Sequence, residues 1–423
     1  MRTPLGLPPR SPWTMPKSLL EPSTGTLGRH SPSTSRILTG VQSKSSERPF
    51  SVIIFCHLLN DASGSPVVLR ETIQALEGIE PDRVLFVGSQ GYGALDDAGV
   101  PVRRYWYRRS RIRLLTLFAF AVSQLSLYRA LSRADLPEDA LIYVNTLLPF
   151  GAALWGARHG HRVVYHLHEV SISPRPLGWF LLRIAEKTAA RVFYVSHDHR
   201  ARLPIAGVPN QVLPNPISAK ISKRGSATTY APRRSGLFEV LMLASPRDYK
   251  GIPEFLALAR GLERRPDIQF TLVLNADAAE IESYLPPARV PGNVTVHGRA
   301  ATPEAFYATA DLLVNLSRVD LWIETFGLTI AEAMAFGLPV IGPPVGGPSE
   351  LISQGCEGYL VDSRDIATLD RSVTTLADEP STALAMSEAA RLRAREFTVS
   401  QFATALHAEI LAMAPSAQKP RKR

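Results

Sequence analysis

Short apolar runs alternate with amphipathic stretches along most of the chain. From residue 50 onward, runs rich in β-branched and aromatic residues recur, each followed by a turn and a stretch with helical spacing. This alternation is the βαβ signature of a parallel sheet that carries helices on both faces. In the first half of the chain it predicts a helix at 65–76 and strands at 50–59, 83–88, 141–145, 162–168 and 191–196.

The alternation stops at residues 212–236, which are poor in large apolar residues and contain proline, glycine and basic residues. Such a composition is typical of a connection between domains, so we place a linker at 216–236. The pattern then resumes and predicts strands at 238–244, 268–275, 294–298, 311–317, 339–343 and 358–361, with helices at 252–265, 278–285, 303–309, 326–336, from about 348, at 366–378 and over 381–413.

The sequence therefore predicts two α/β domains, at 49–215 and 237–395, followed by a C-terminal helix at 396–414. Ligands of such folds bind beyond the carboxyl ends of the strands, near helix N-termini. Residues 1–48 are rich in proline, serine, threonine and arginine and have no apolar period, so they are predicted to be a disordered extension. They also lack the apolar core of a signal peptide.

Composition narrows the class of protein. Of the 423 residues, 45% are apolar and 20% charged, which is typical of a globular protein with a sizeable core. The two cysteines, Cys56 and Cys356, lie far apart, and no C-x-x-C pair occurs. Neither a disulfide framework nor a thiolate zinc site is indicated. We therefore expect a reducing, cytoplasmic compartment.

The net charge of +9 is unevenly distributed. Residues 1–48 carry +5, residues 103–113 carry +6 and the basic tail 415–423 carries +4, which leaves −6 for the rest of the chain. A nucleic-acid enzyme would spread its basic residues along a groove, so we expect no nucleic-acid partner.

The segment RRYWYRRSRIR at 103–113 interleaves arginines with aromatic residues and leads into the apolar run LLTLFAFAV at 114–122. Even extended to Leu127 the apolar run is shorter than the roughly 20 residues that span a bilayer. One hypothesis is an interfacial helix that holds the protein at the inner face of an anionic membrane. The alternative is an ordinary buried helix with a basic flank.

The stretch ETFGLTIAEAMAFG at 324–337 places Glu332 inside a helix that is apolar nearly all round. A charged side chain there costs several kcal/mol unless a partner satisfies it. One interpretation is structural: Glu332 pairs with a buried arginine or caps a neighbouring helix. The other is functional: Glu332 accepts hydrogen bonds from the hydroxyl groups of a ligand.

Glu324 lies just before the N-terminus of the same predicted helix. There the free N–H groups of Phe326, Gly327 and Leu328 can hold a phosphate or sugar oxygen. Two carboxylates with free amides near one of them suit a ligand with hydroxyl groups at both ends and phosphate between them. A nucleotide sugar has this chemistry.

The longer stretch ETFGLTIAEAMAFGLPVIGPPVGGPSELI at 324–352 resembles the retaining glycosyltransferases of family 4, also called glycosyltransferase group 1. Their signature is E-x-F-G-x-x-x-x-E-A-x-A-x-G-x-P-V-I. The resemblance extends over about 51–405 and implies the GT-B architecture, with two Rossmann-like α/β/α domains facing a cleft. It assigns Glu324 to the donor sugar, as a catalytic residue, and Glu332 to the ribose hydroxyls.

The segment SPRDYKGIPEF at 245–255 resembles the family's strand-end loop that ends in Lys-Gly. The resemblance implies that Lys250 binds the donor diphosphate, as suits a point charge at a helix start. The family usually has an arginine five positions before that lysine, where this chain has Ser245. Arg247, three positions before, is the candidate to reach the phosphates instead.

Two further segments match turns of the family. HGR at 297–299 resembles the loop around the base of the donor, which assigns Gly298 and Arg299 to donor binding. DASGSP at 61–66 stands where the family has a glycine-rich turn before the first helix. Gly64 would there let the backbone approach the diphosphate or the acceptor.

YHLHE at 165–169 ends a predicted strand, and alternate residues of a strand share a face. His166 and His168 therefore read as half of a metal site or as two structural histidines. The resemblance instead assigns His168 to the cleft between the domains, as a catalytic residue beside the reacting sugar. No metal site is expected.

The resemblance implies a retaining, metal-independent enzyme that moves a sugar from a nucleotide diphosphate sugar to a saccharide or lipid-linked saccharide hydroxyl, of hexosyltransferase type, in polysaccharide or glycolipid biosynthesis. The donor is a co-substrate, and no cofactor is expected. No Asp-x-Asp pair is available to hold a metal on the diphosphate. A sugar phosphorylase of the same fold and a non-catalytic glycosyltransferase-like subunit remain the alternatives.

Overall fold

A computed structural model describes residues 50–61, 63–77, 82–110, 112–170, 172–299 and 302–413. The predicted disordered extension at 1–48 and the basic tail at 415–423 lie outside the described residues. Every strand pairing among the described residues is parallel. The prediction of two parallel α/β sheets is confirmed.

The first sheet follows the order β3-β2-β1-β4-β5-β6-β7. Its strands are β1 (Val52–His57), β2 (Asp82–Gly88), β3 (Val102–Tyr105), β4 (Leu141–Asn145), β5 (Arg162–Leu167), β6 (Arg191–Tyr194) and β7 (Asn210–Val212). Its helices are α1 (Gly64–Ala75), α2 (Arg113–Ser132), α3 (Phe150–Arg158), α4 (Arg175–Thr188) and α5 (His197–Arg202). Most strand residues are buried, because hydrophobic clusters cover both faces of the sheet.

The second sheet follows the order β10-β9-β8-β11-β12-β13. Its strands are β8 (Phe238–Ala244), β9 (Ile268–Leu274), β10 (Val294–His297), β11 (Leu312–Val314), β12 (Val340–Gly342) and β13 (Gly358–Leu360). The helices after β7 are α6 (Ala219–Ser226), α7 (Ile252–Gly261), α8 (Ala278–Tyr284), α9 (Pro303–Thr309), α10 (Leu328–Ala335), α11 (Pro348–Leu351), α12 (Ile366–Asp378), α13 (Pro380–Ala394) and α14 (Val399–Ala412).

The predicted linker at 216–236 contains an element that the sequence analysis missed. Helix α6 lies inside it and buries Ile221 and Gly225. A Cβ at Gly225 would stand 2.5 Å from the carbonyl oxygen of Ala335 in α10, so α6 packs closely on the second domain. A single buried isoleucine among lysines and serines gave too weak a helical period to predict this helix.

Most of the arginine-rich segment at 103–113 precedes the helix that carries the apolar run. Arg103 and Arg104 belong to the edge strand β3, and helix α2 begins only at Arg113. Residues 102–105 pair with β2, and Tyr105 donates a hydrogen bond of 2.7 Å to the carbonyl oxygen of His57 in β1. Pairing with β2 therefore places Arg103 and Arg104 in a strand despite their positive charge.

The chain returns to the first domain through α14. Phe402, Leu406 and Ile410 pack with Ile53 and Phe55 of β1 in one hydrophobic cluster. Two passages of the chain meet where it crosses between the domains, because the amide of Ile217 donates a hydrogen bond of 2.7 Å to the carbonyl oxygen of Phe397. The last helix thus fastens the second domain to the first.

Leu406→Ala should destabilise the protein by about 2–5 kcal/mol, since Leu406 is 0% exposed and a cavity would remain. The matched control in the same helix is Leu411→Ala, where the side chain is 44% exposed and the expected loss is below about 0.5 kcal/mol. Urea unfolding of both variants measures the difference. Equal losses would show that α14 is not docked by its buried face.

Candidate functional site

Lys250 and Glu324 meet at the carboxyl edge of the second sheet. Lys250 Nζ lies 2.8 Å from Glu324 Oε2, and Ser317, in the loop after β11, donates to the same oxygen at 3.2 Å. Lys250 also lies 5.2 Å from the ring centroid of Trp322, a cation–π arrangement. Both charges are partly exposed, so the pair is accessible to a ligand.

The Lys250–Glu324 pair keeps the carboxylate ionised. Burial raises the pKa of Glu324, but the positive charge and hydrogen bond of Lys250, with the bond from Ser317, outweigh that effect. The pKa of Glu324 therefore lies below its ordinary value. An ionised carboxylate accepts hydrogen bonds from hydroxyl groups and stabilises nearby positive charge.

The N-terminus of α10 supplies free amides beside Glu324. Gly327 has φ +97°, a left-handed conformation that turns the chain into the helix. Within the described part of the chain, the N–H groups of Phe326, Gly327 and Leu328 donate to no acceptor. The side chain of Phe326 itself is buried against Phe397, so only its backbone is available here.

Glu332 lies on α10 in an environment that disfavours its charge. Its Oε2 accepts a hydrogen bond of 2.8 Å from the hydroxyl group of Tyr307 in α9. Burial is the main cause that raises the pKa of Glu332 to about 7, and the carboxylates of Glu304 and Glu71 add to it. Neither a paired arginine nor a capped helix, the two structural alternatives, satisfies Glu332 within the described residues.

His168 follows β5 on the other side of the cleft and is held by Asn145, the last residue of β4. His168 Nε2 lies 3.0 Å from Asn145 Oδ1, while Asn145 Nδ2 donates to the carbonyl oxygen of Ser65 at 3.2 Å. Because the amide oxygen only accepts, Nε2 carries the proton and His168 Nδ1 remains an acceptor. Asn145 thereby ties the histidine to the start of α1.

His168 is neutral. Burial lowers the pKa of His168 well below its ordinary value, and the neighbouring imidazoles of His166, His199 and His57 lower it further. The second histidine of the pair, His166, is fully buried and bonds the hydroxyl group of Tyr143 through Nδ1 at 2.9 Å. No group of three or more histidine, cysteine, aspartate or glutamate residues within the described chain could hold a metal ion.

Three direct contacts between the domains bring these residues to one cleft. Thr325 Oγ1, next to Glu324, donates to the carbonyl oxygen of His168 at 3.1 Å, and Ser196 Oγ donates to the carbonyl oxygen of Thr325 at 2.7 Å. Glu350 of α11 accepts from the first amides of α5, with distances of 3.0 and 2.6 Å. The carboxylate of the second domain thus caps a helix of the first.

A cavity of about 530 Å³ lies at the carboxyl ends of β9 and β10. Its lining residues are Ala276, Asp277, Ala278, His297, Gly298, Arg299, Thr302 and Phe306. Arg299 is fixed there, because its Nε donates to Asn275 Oδ1 at 2.9 Å and its amide donates to the carbonyl oxygen of Ala276 at 2.9 Å. The predicted donor-base residues Gly298 and Arg299 therefore line a cavity at the same edge as Lys250.

Two other predicted residues lie differently. Arg247 does not reach the Lys250–Glu324 pair: its exposed guanidinium lies 3.8 Å from Glu280 in α8 and donates to the carbonyl oxygen of Pro246. Gly64 is the first residue of α1, and a Cβ there would meet no atom within 4 Å. A side chain at Gly64 would therefore extend into open space at the N-terminus of α1.

The sequence analysis missed four residues of this site. They contact the predicted side chains: Asn145 holds His168 and Tyr307 holds Glu332. Ser317 donates to Glu324, and Trp322 lies against Lys250. Asn145 had a signal, because a polar residue closes the apolar strand LIYVN. Tyr307 had none, since it lies 25 positions from Glu332 and only the packing of α9 on the second sheet brings them together.

Residues 231–393 match the family model "Glycosyl transferases group 1". A D-inositol 3-phosphate glycosyltransferase from Arthrobacter sp. (strain FB24) is 33% identical over 172 residues, 38% of this chain and 40% of that protein. A GDP-mannose-dependent alpha-mannosyltransferase from Corynebacterium glutamicum is 36% identical over 121 residues, 28% of this chain and 27% of that protein. The match confirms the resemblance to group 1 glycosyltransferases read from residues 324–352.

The structure of HepE from Anabaena, solved with UDP and glucose, superposes with a TM-score of 0.67 at 20% sequence identity. The superposition covers 86% of this chain and 99% of HepE. The chain therefore has the GT-B fold, and that prediction is confirmed. In sequence, the chain matches at most about two fifths of the length of the two curated relatives named above.

Asn145→Asp should raise the pKa of His168, because a carboxylate would then face its Nε2 proton and favour the imidazolium. Asn210→Asp, at an exposed position of β7, is the matched control and should leave His168 unchanged. Titration of ¹⁵N-labelled histidine by NMR measures both. An unchanged His168 resonance in Asn145→Asp would contradict the hydrogen bond to Asn145.

Glu332→Gln should make the unliganded protein more stable at pH 8. The folded state raises the pKa of Glu332 from 4.5 to about 7, so the folded state binds a proton that the unfolded state releases between these values. Stability from this group is present below pH 4.5 and is lost as the pH rises through 7, by about 3 kcal/mol at most. Glutamine does not ionise, so the Glu332→Gln variant does not lose this stability as the pH rises.

Urea unfolding at pH 5 and pH 8 tests this prediction. The gain of Glu332→Gln over the native protein should be larger at pH 8 than at pH 5, while Glu263→Gln, an exposed control, should show no such difference. A loss of stability at pH 8 would mean that the Glu332 carboxylate is a structural partner.

Proposed function

We propose that the protein is a retaining glycosyltransferase that moves a sugar from a nucleotide diphosphate sugar to a hydroxyl group of a saccharide or lipid-linked saccharide. The observation that carries the proposal is a pair of carboxylates in opposite environments, Glu324 just before the N-terminus of α10 and Glu332 within that helix. Glu324 is ionised beside a lysine and free amides. The negative charge of Glu332 is disfavoured unless the hydroxyl groups of a ligand donate hydrogen bonds to it. A ligand with phosphate between two hydroxyl-bearing ends satisfies both.

The diphosphate would lie between Lys250 and the N-terminus of α10. Lys250 Nζ supplies a point charge, and the amides of Gly327 and Leu328 supply hydrogen bonds along the positive end of the helix dipole. Together they neutralise the charge that develops on the leaving diphosphate, so the proposed reaction needs no metal ion. The ribose hydroxyls would donate to Glu332, with the base in the cavity at Gly298 and Arg299.

The transferred sugar would lie between Glu324 and His168. Neutral His168 offers Nδ1 as an acceptor for a sugar hydroxyl, and ionised Glu324 stabilises the positive charge that develops on the sugar. The acceptor hydroxyl attacks from the same face as the leaving group, and the leaving phosphate takes its proton. The anomeric configuration is thereby retained.

The relatives support a sugar donor of this kind. One is a D-inositol 3-phosphate glycosyltransferase, another is a GDP-mannose-dependent mannosyltransferase, and the HepE structure contains UDP and glucose. The acceptor would bind to the first domain near Gly64, where space is open. We place the reaction in the cytoplasm, in the synthesis of a polysaccharide or a glycolipid.

Lys250→Ala should weaken binding of the nucleoside diphosphate by roughly 10- to 150-fold, the effect of losing one charge-assisted hydrogen bond. Lys223→Ala in α6, an exposed lysine of the same domain, is the matched control and should bind normally. Calorimetry with UDP and GDP measures affinity. Turnover should persist in excess EDTA, and its loss with recovery on added Mn²⁺ would contradict the metal-free reaction.

Glu332→Gln and Glu324→Gln should separate into two kinetic classes. Contacts to the ribose are equal in the ground and transition states, so Glu332→Gln should mainly raise the donor KM and weaken nucleoside diphosphate binding. Glu324→Gln touches the sugar where charge develops, so it should mainly lower kcat. Steady-state kinetics with calorimetry decides, and a reversed pattern would overturn the two assignments.

The same assays distinguish the proposed transferase from a sugar phosphorylase and from a non-catalytic glycosyltransferase-like subunit. A phosphorylase would use inorganic phosphate in place of an acceptor, and a non-catalytic subunit would bind the nucleotide without hydrolysing or transferring the sugar. Either result would replace the proposed reaction.

A further inference from the structure

The outward face of α2 is apolar. Leu114, Phe118, Ala121 and Leu125 recur at helical spacing on one face, and all of them are exposed. Phe118 is 69% exposed and Leu114 is 77% exposed. A surface helix of a globular protein places polar residues on its outer face, so this face is built for contact with something apolar.

The apolar face continues onto α4. Trp179 and Phe180 in that helix are exposed, Trp179 by 64%. Phe180 is joined to α2 by a chain of aromatic contacts, with ring centroids 5.4 Å apart from Phe180 to Phe150 and 5.7 Å apart from Phe150 to Phe120. We call the exposed apolar residues of α2 and α4 the α2–α4 surface.

Unpaired arginines accompany the α2–α4 surface. Arg108, Arg109 and Arg113 precede or begin α2, and Arg175 begins α4. Among the described residues none of the four forms an ion pair. No acidic residue occurs in the sequence between Asp97 and Asp135, so the positive charge of this segment is not compensated within the segment.

We propose that the α2–α4 surface docks the protein on a lipid bilayer that contains anionic lipids. A bilayer interface supplies both features at once: acyl chains for the apolar side chains and lipid phosphates for the arginines. The N-terminal extension is a poorer occupant, because residues 1–48 carry +5 and would meet like charge. The surface is independent of the proposed reaction, which it would serve by bringing the first domain to a lipid-linked acceptor.

Helix α2 would lie on the bilayer. It is 20 residues long, and by length and composition alone it is the one helix within the described residues that could cross a membrane. Its opposite face is already occupied, since Ser123, Gln124, Leu127 and Leu131 are buried in the first domain. Only the outward face is free, which matches shallow insertion of an interfacial helix.

Vesicle sedimentation with the full chain tests the apolar half of the proposal. The native protein should bind phosphatidylcholine vesicles that contain phosphatidylglycerol far more tightly than pure phosphatidylcholine, and added salt should weaken the binding. Phe118→Asp should lower the partition coefficient by at least about 10-fold, because one buried aromatic contact with the lipid is lost. Leu392→Asp in α13, a leucine 61% exposed, is the matched control and should bind normally.

The double variant Arg108→Gln, Arg109→Gln tests the charged half. Each arginine near an anionic surface contributes about fivefold, so the pair should lower binding to anionic vesicles by roughly 30-fold. Arg264→Gln with Arg371→Gln, two exposed arginines of the second domain, is the control. The basic termini are present in all of these chains, so they contribute equally to each.

Three results would overturn the proposal: no vesicle binding, equal binding to anionic and neutral vesicles, or equal binding by Phe118→Asp and its control. A dimer in lipid-free solution that Phe118→Asp dissociates would also overturn it, since a second copy would then be the occupant. Thermal unfolding of each variant confirms that it is folded. No sugar donor enters these assays, so their outcome is separate from that of the proposed function.

Discussion

The direction of the strands is the constraint on which the site depends. All pairings in both sheets are parallel, so the carboxyl ends of neighbouring strands lie along one edge of each sheet. His168 follows β5, Lys250 follows β8 and Arg299 follows β10. Residues far apart in sequence therefore lie along the same edge of a sheet, Lys250 and Arg299 on the second sheet and His168 on the first. The contacts of Thr325 with His168 and Ser196 then bring the two edges face to face.

Two carboxylates of one segment acquire different properties from their surroundings. Glu324 has a cation at 2.8 Å, which keeps its pKa low. Burial and the nearby acids Glu304 and Glu71 raise the pKa of Glu332, and the hydrogen bond from the tyrosine hydroxyl offsets this only in part. Glu324 is thus prepared to act as an anion before any ligand arrives. Glu332 is held at a cost to the unliganded fold, and ligand hydroxyls would offset that cost. Carboxylates held in this way are typical of functional sites.

Much of the architecture could be predicted because the strands are buried on both faces and read as short apolar runs. The strand 141–145 and the helices 303–309 and 366–378 have the predicted bounds. β3 was missed because its exposed edge position lets arginines occupy strand residues. α6 was missed because it buries little. Lys250 and Glu324 could be named from their motifs, but their ion pair could not, since 74 positions separate them.

The sequence analysis predicted His168 as a site residue but not Asn145, which holds it. The motif names the group that the resemblance assigns to a ligand, whereas the group that orients it lies on the neighbouring strand. Asn145 ends β4, the neighbour of β5, and its two ends reach His168 and Ser65. Its position therefore follows from the register of the sheet, and the start of α1 is fixed to the histidine through one amide. The orientation of His168 therefore depends on a single buried side chain.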